Sequence, residues 1–514
     1  MPQIDDGWRA SALLLHPSSL YSPYGIGDLG PSAQAMVSFL GRCGFHFWQF
    51  LPLVPTSAGL GNSPYSAFSA FAGHSLLISP DLMVRDGWLR ADEARAAELP
   101  ASSRVDFDLA AINKTRLLDL AFERAENGLE HHQAFQEFAW KNGTWMNDYA
   151  FFMAAKHHFG GGSWIDWPEA LRRRDDSALR EYGTALARPI LREKFVQFLF
   201  FTQLHELKDL MRERGLGLIG DVAIYVNHDS SDVWSQPELF CLDPEGRSYE
   251  VAGVPPDYFA KDGQLWGNPT FNWERHAQDG YNWWKHRLWH TLTLYDWIRL
   301  DHFRGFAAYW AVPAGAETAA SGKWRPGPGV NLFNAASSAG PLNIIAEDLG
   351  IITPDVTALR RQFGYPGMRV MQFAFGPDSA CCAHIPFRIE KDNVVYTATH
   401  DNNTTRGWFR QDATALMRRQ LSELCGYEVR EDNAAWALIR LAWYSPGALA
   451  VAPMQDMLNL DERSRMNTPG TPSGNWAWKL SGPDLLTDEL AGRMADLTAV
   501  SGRDNFDHPN TLTY

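Results

Sequence analysis

The stretch WIRLDHFRGF (297–306) opens on bulky apolar residues and stops on an acid, Asp301. Two other short apolar runs close the same way. NIIAEDLG (343–350) ends on Glu347, and TATHDNNT (397–404) leads to Asp401. Turn or polar residues follow each acid at once. Strands buried on both faces read as short Val/Ile/Leu/Phe-rich runs. In a parallel barrel the residues at their C-terminal ends emerge on one common face. Outward from these three, similar runs recur at 12–15, 45–53, 216–226, 297–301, 342–347, 368–375, 394–399 and 449–454. Most are bounded by Gly, Pro or Asn, and segments of helical periodicity separate most of them. The expected fold class is therefore α/β, a (β/α)8 barrel. No Gly-x-Gly-x-x-Gly follows a strand, so a dinucleotide-binding sheet has no support.

The spacing of the runs is uneven. Between the second and third lie 115–124, 133–141, 147–158 and 191–214, all with helical periodicity. The organisation predicted is a single catalytic barrel domain over 1–514, with a mainly helical subdomain inserted at 57–200. A second insertion, 243–273, follows the third strand and is rich in Gly, Pro and aromatics. A third, 459–480, follows the eighth. Long loops without regular structure are commonly lids or binding loops.

Composition narrows the partners. The net charge of −14 and the lack of a basic tract argue against nucleic acid. The 21 Trp and 16 Tyr fit a large aromatic core, and equally a cleft in which flat sugar faces pack on rings. The five Cys show no metal-ligand spacing, and adjacent Cys381 and Cys382 make a poor staple, so a reduced, cytoplasmic chain is expected. The apolar run 12–15 is too short for a signal peptide, and no stretch reaches the ~18 apolar residues of a membrane span.

Arg299 and Asp301 are two apart, so on a strand they point to the same side. A guanidinium there favours an ionised carboxylate, as a nucleophile requires, although a structural Arg–Asp pair reads identically. Glu347, at the end of a dry strand and facing other carboxylates, is expected to hold its proton toward neutral pH and to donate it, unless it is a solvated strand-end acid. Two such groups at close range can serve as nucleophile and acid/base of a retaining glycosidic reaction. His400 and Asp401 can hold vicinal sugar hydroxyls, or form an Asx turn. Asp221, in GDVAIYV, reads as a support or hydroxyl ligand. Asn227 and His228 hint at calcium, but no oxygen-rich cluster accompanies them, so no metal is expected.

Taken together, the three acids resemble the nucleophile, acid/base and third carboxylate of the α-amylase clan. The surrounding words resemble the 4-α-glucanotransferases called amylomaltase or disproportionating enzyme. They include WQFLPLVPT (48–56), GNSPYSAFSAFAGHSLLISPDL (61–82), WMNDYAFFMAAK (145–156), WIDWPEALRRR (164–174), GVPPDYFAKDGQLWGNPTFNW (253–273), RLDHFRGF (299–306), THDNNTTRGW (399–408) and RMNTPGT (465–471). The resemblance implies that Asp301 is the nucleophile, Glu347 the acid/base and Asp401 the donor-sugar ligand. It implies that Arg299 and His400 are their polar neighbours, and that Tyr65, Asp221, Asp257, Trp266 and Asn467 line the glucan cleft. It further implies maltooligosaccharides and glucose as substrates, no cofactor, no C-terminal β-sandwich, and a monomer or homodimer. An α-amylase-type hydrolase uses the same carboxylates and is the alternative. A glucan-binding protein without activity would be expected to lack one of them. Two departures stand out: Asn403 replaces a common Asp, and Leu60 stands where an aromatic is often found.

Overall fold

The computed structural model describes residues 8–56, 58–256, 261–471 and 473–504. Its strands are β1 (Ala10–Leu14), β2 (Phe47–Gln49), β3 (Gly217–Val222), β4 (Glu250–Val254), β5 (Gln264–Pro269), β6 (Trp297–Leu300), β7 (Ala308–Pro313), β8 (Lys323–Pro326), β9 (Ile344–Ala346), β10 (Gly367–Val370), β11 (Asn393–Tyr396) and β12 (Leu449–Pro453). Eight of them close a parallel barrel in the order β1-β2-β3-β6-β9-β10-β11-β12. Every run expected to be a barrel strand overlaps one of these eight. Several strands are shorter than the apolar run that marks them, because the chain turns at their C-terminal ends. Beyond β11, for example, the Asn402 side chain accepts from Thr399 N at 2.8 Å and takes that amide out of any ladder. The turn at the strand end is thus built on Thr399 rather than on an Asx side chain reaching forward, with Asp401 N donating to Thr399 Oγ1 at 3.3 Å, and Asp401 sits on the loop after β11.

The strand register places functional side chains. Asp221 of β3 lies opposite Arg299 of β6. Gly220, beside it, is required by packing: a Cβ there would lie 2.3 Å from the Tyr295 ring.

Between β2 and β3 the chain forms helices Phe107–Ala125, Gln133–Lys141, Gly143–His158 and Ala187–Glu213. The first is capped by Asp106, which accepts from Leu109 N at 3.0 Å. Its Lys114 is 1% exposed and reaches Asp28 Oδ2 at 2.9 Å and the Ile78 carbonyl at 2.7 Å. A buried ammonium is tolerated only when so paired, which pins this helix to the loop after β1.

The reading of 243–273 as a loop without regular structure needs correction. It carries β4 and β5, which belong to a second, antiparallel sheet of order β5-β4-β7-β8. The other half of that sheet comes from beyond β6. Its central pairing, β4 with β7, is therefore non-local, while β4–β5 and β7–β8 pair as neighbours in sequence.

Candidate active site

The barrel brings Asp221, Arg299, Asp301, Glu347, His400 and Asp401 to one end. Arg299 is 4% exposed and organises the centre. Its Nη1 donates to Asp221 Oδ1 and Oδ2 at 2.9 and 2.7 Å, and its Nη2 donates to Asp301 Oδ1 at 2.8 Å. A planar fork that holds two carboxylates at once is something a lysine ammonium does not supply. Burial works against the Arg299 charge, but Asp221 and Asp301 outweigh it and hold its pKa well above the usual value. Tyr65 donates its hydroxyl to Asp221 Oδ2 at 2.8 Å, which completes the support behind Asp301.

Glu347 follows β9 and faces Asp301. Its Oε2 accepts from His302 N and its Oε1 from Leu349 N, both at 2.8 Å. Burial first, and then the Asp301 charge, raise its pKa to about 7; Arg299 and the two amides act in the opposite direction. A carboxyl group with that pKa exchanges its proton near neutrality, which is what a group serving alternately as acid and base must do. His302, between the two acids in space, adopts φ +49, a left-handed conformation uncommon for a non-glycine residue. Burial drives its pKa down to about 4, so it is neutral at physiological pH.

Asp401 faces the same space from the loop after β11. Its Oδ1 accepts from Asn467 Nδ2 at 2.6 Å and lies 3.3 Å from His400 Nε2. Arg465 Nη2 donates to the Asp401 carbonyl at 2.6 Å. The His400 ring is stacked on Tyr65, with centroids 5.0 Å apart. Trp476 packs against both rings and has φ +63. Trp266 lies on β5, 37% exposed, with its ring edge-on to His302 at 4.9 Å.

Of the sequence-derived candidates, Tyr65, Asp221, Trp266, Arg299, Asp301, Glu347, His400, Asp401 and Asn467 form this connected constellation. Asp257 lies outside the described residues. Asn403 turns away from Asp401, donating from Nδ2 to Asp412 Oδ2 at 3.0 Å. Leu60 sits half-buried in a short turn, Ala58–Leu60. His228 is held by the Gly246 carbonyl at 2.8 Å and stacks on Trp164. Among the described residues no group of three or more His, Cys, Asp or Glu converges as a metal site. Sequence reasoning missed Trp476 and the role of His302 as a bridge. The only local signal for Trp476 was its place in the Gly- and Pro-rich loop that also holds Asn467.

A closed parallel barrel whose C-terminal ends bring together an Arg-held carboxylate, a glutamic acid with a raised pKa and a third Asp is a (β/α)8 barrel with an acidic candidate active site. Comparison with known proteins is specific beyond that. The model of the 4-alpha-glucanotransferase family matches residues 15–486. The 4-alpha-glucanotransferase of Synechocystis sp. is 44% identical over 96% of this chain and 98% of its own length. That of Thermus thermophilus is 43% identical over 96% and 99%. The amylomaltase of Streptococcus agalactiae, solved in complex with acarbose, superposes with a TM-score of 0.93 at 35% identity, covering 97% of this chain and 100% of that one. The chain belongs to the 4-alpha-glucanotransferase family.

Proposed function

We propose that this enzyme, a 4-α-glucanotransferase, transfers a segment of an α-1,4-glucan to the 4-OH of another glucan or of glucose by two displacements at one carbon. Glu347, protonated, gives its proton to the leaving glycosidic oxygen while Asp301 Oδ attacks C1 from the opposite face. The bond from C1 to the leaving chain breaks, and an ester to Asp301 forms. Glu347, now ionised, takes the proton of the acceptor 4-OH, whose oxygen attacks C1 and releases Asp301. Two inversions give retention. Asp401, steadied by Asn467 and His400, holds hydroxyls of the donor sugar. Tyr65, Asp221 and Arg299 keep Asp301 in place, and Asp257 joins the cleft on the motif match. The observation that carries this chemistry is Glu347, its pKa near 7, anchored by an amide of the Asp301 strand end.

Transfer rather than hydrolysis, the alternative reading of the same carboxylates, is supported by the full-length match to the glucanotransferases. The insertions at 243–273 and 459–480 are assigned to covering the cleft, so that a sugar occupies the acceptor position in place of water, and the helical subdomain at 57–200 is read as an insertion between β2 and β3. Unpaired thiols at all five cysteines suit a reducing, cytoplasmic setting. No helix among the described residues is long and apolar enough to cross a membrane.

The test is incubation with maltotriose alone. Glucose and a ladder of longer maltooligosaccharides should appear with little change in total reducing ends. A steady rise in reducing ends without longer products would assign the protein to hydrolysis.

A further inference from the structure

The segment 397–404 carries His400 and Asp401 without regular secondary structure of its own, and Thr405 begins the short helix Thr405–Gly407. The two ends of this loop meet on one side chain. Asp456, just beyond β12, accepts from Thr397 Oγ1 at 2.6 Å and from Thr405 Oγ1 at 2.7 Å, both at Oδ2. Its Oδ1 accepts from Thr405 N at 2.8 Å. Asp456 is 1% exposed. Gln372 adds a second tie on the same side, donating to the Asn403 carbonyl at 2.9 Å. A buried carboxylate is costly, whereas its directed bonds fix positions that apolar packing leaves looser.

We propose that Asp456 is a positioning residue for the transfer reaction, closing the 397–405 loop into a ring and so fixing where Asp401 meets the donor sugar. This rests on the reading of Asp401 as a donor-sugar ligand. The same post-β12 segment also supplies Arg465 and Asn467, which grip Asp401 from its other side. Asp401 is thus located from below by Asp456 and from the side by two residues a short way further along the chain. Asp456 itself is 1% exposed and acts through Thr397 and Thr405.

The experiment compares Asp456→Ala and Asp456→Asn with the unaltered enzyme in maltotriose disproportionation. Turnover is corrected for the folded fraction, and KM and acarbose affinity are measured alongside. Misplacing a reacting group by about 1 Å costs on the order of 10²-fold in rate, so Asp456→Ala should lose about that much in kcat with KM changed little. Acarbose should bind correspondingly less well. Asp456→Asn should recover much of the loss. Its amide can donate to the two threonine hydroxyls, which rotate, while its oxygen still accepts from Thr405 N. Should Asp456→Ala not fold, Thr397→Val removes a single tie and should lower kcat several-fold. A folded Asp456→Ala or Thr397→Val with kcat within twofold of the unaltered enzyme overturns the proposal. Equal losses in Asp456→Ala and Asp456→Asn that track only the melting temperature do the same. Failure of the unaltered enzyme to disproportionate maltotriose would instead count against the proposed function.

Discussion

Glu347 Oε2 accepts a 2.8 Å hydrogen bond from the backbone amide of His302, the residue that follows Asp301. Glu347, proposed as the acid/base, is therefore tied through its carboxylate to the backbone next to Asp301, the proposed nucleophile. This bond favours the ionised form of Glu347, yet burial and the Asp301 charge win and set the pKa near 7. The two forms of Glu347 are thus close in energy, which suits a group that gives and regains a proton in every cycle.

The sign of the pH dependence follows. Attack on a natural glucan needs Glu347 protonated. Its pKa is raised from 4.5 to about 7, so that form persists through the weakly acid range and is lost on the alkaline side. For maltotriose, kcat/KM should fall as pH rises through about 7, approaching tenfold per pH unit. Maltosyl fluoride, whose leaving group needs no proton, should lack that limb in the first displacement. The same alkaline limb for both donors would remove Glu347 from the acid role.

Asp301→Asn preserves shape but cannot form the glycosyl ester. A loss of at least ~10³-fold in turnover is expected, on the scale seen when one member of a catalytic unit is removed. In a Glu347→Gln background an α-glucosyl fluoride should accumulate as an ester on Asp301, identifiable by peptide mass. Label on Asp401 in its place would reverse the roles.

Arg299→Lys keeps the charge and loses the fork. A single ammonium cannot reproduce the paired contacts of Nη1 with Asp221 and Nη2 with Asp301. A fall in kcat of about 10²-fold is expected, the cost of a misplaced nucleophile. Near-normal kcat would show that positive charge alone suffices at this position.

The sequence showed the barrel well because its strands are buried on both faces and so appear as dense apolar runs. The acids were legible for a related reason: a carboxylate ending such a run has no core role to explain it. Arg299 and Asp301 were readable as a pair because a period of two is a local property. What escaped was non-local. β4 pairs with β7 across an intervening barrel strand, and Asp456 meets Thr397 and Thr405 only once β11 and β12 lie side by side. Trp476 escaped because a left-handed backbone in an irregular loop decides where its ring goes. The ring cluster it forms with Tyr65 and His400 joins three segments that no single window of sequence contains.

Trp266 offers the sharpest separation of cover from chemistry. Its ring meets His302 edge-on at 4.9 Å, and 37% of the residue remains exposed. It therefore packs on the side chain of the residue after Asp301 while keeping surface available to a ligand. An aromatic edge contact of this kind contributes roughly 0.5–1.5 kcal/mol, so Trp266→Ala should move the melting temperature by only about 1–3 °C in a chain this large. The functional effect should be greater. After the first displacement the ester on Asp301 is open to any hydroxyl that Glu347 can activate, and water competes with the acceptor sugar. Removing the ring admits water and takes away a face on which the acceptor packs, so the ratio of transfer to hydrolysis should fall several-fold. Maltotriose products and reducing ends, measured together over time, give that ratio directly. A large drop in melting temperature with an unchanged ratio would mean that Trp266 serves to pack β5 against the barrel, and the cover over the acceptor position would have to be sought elsewhere in the loops.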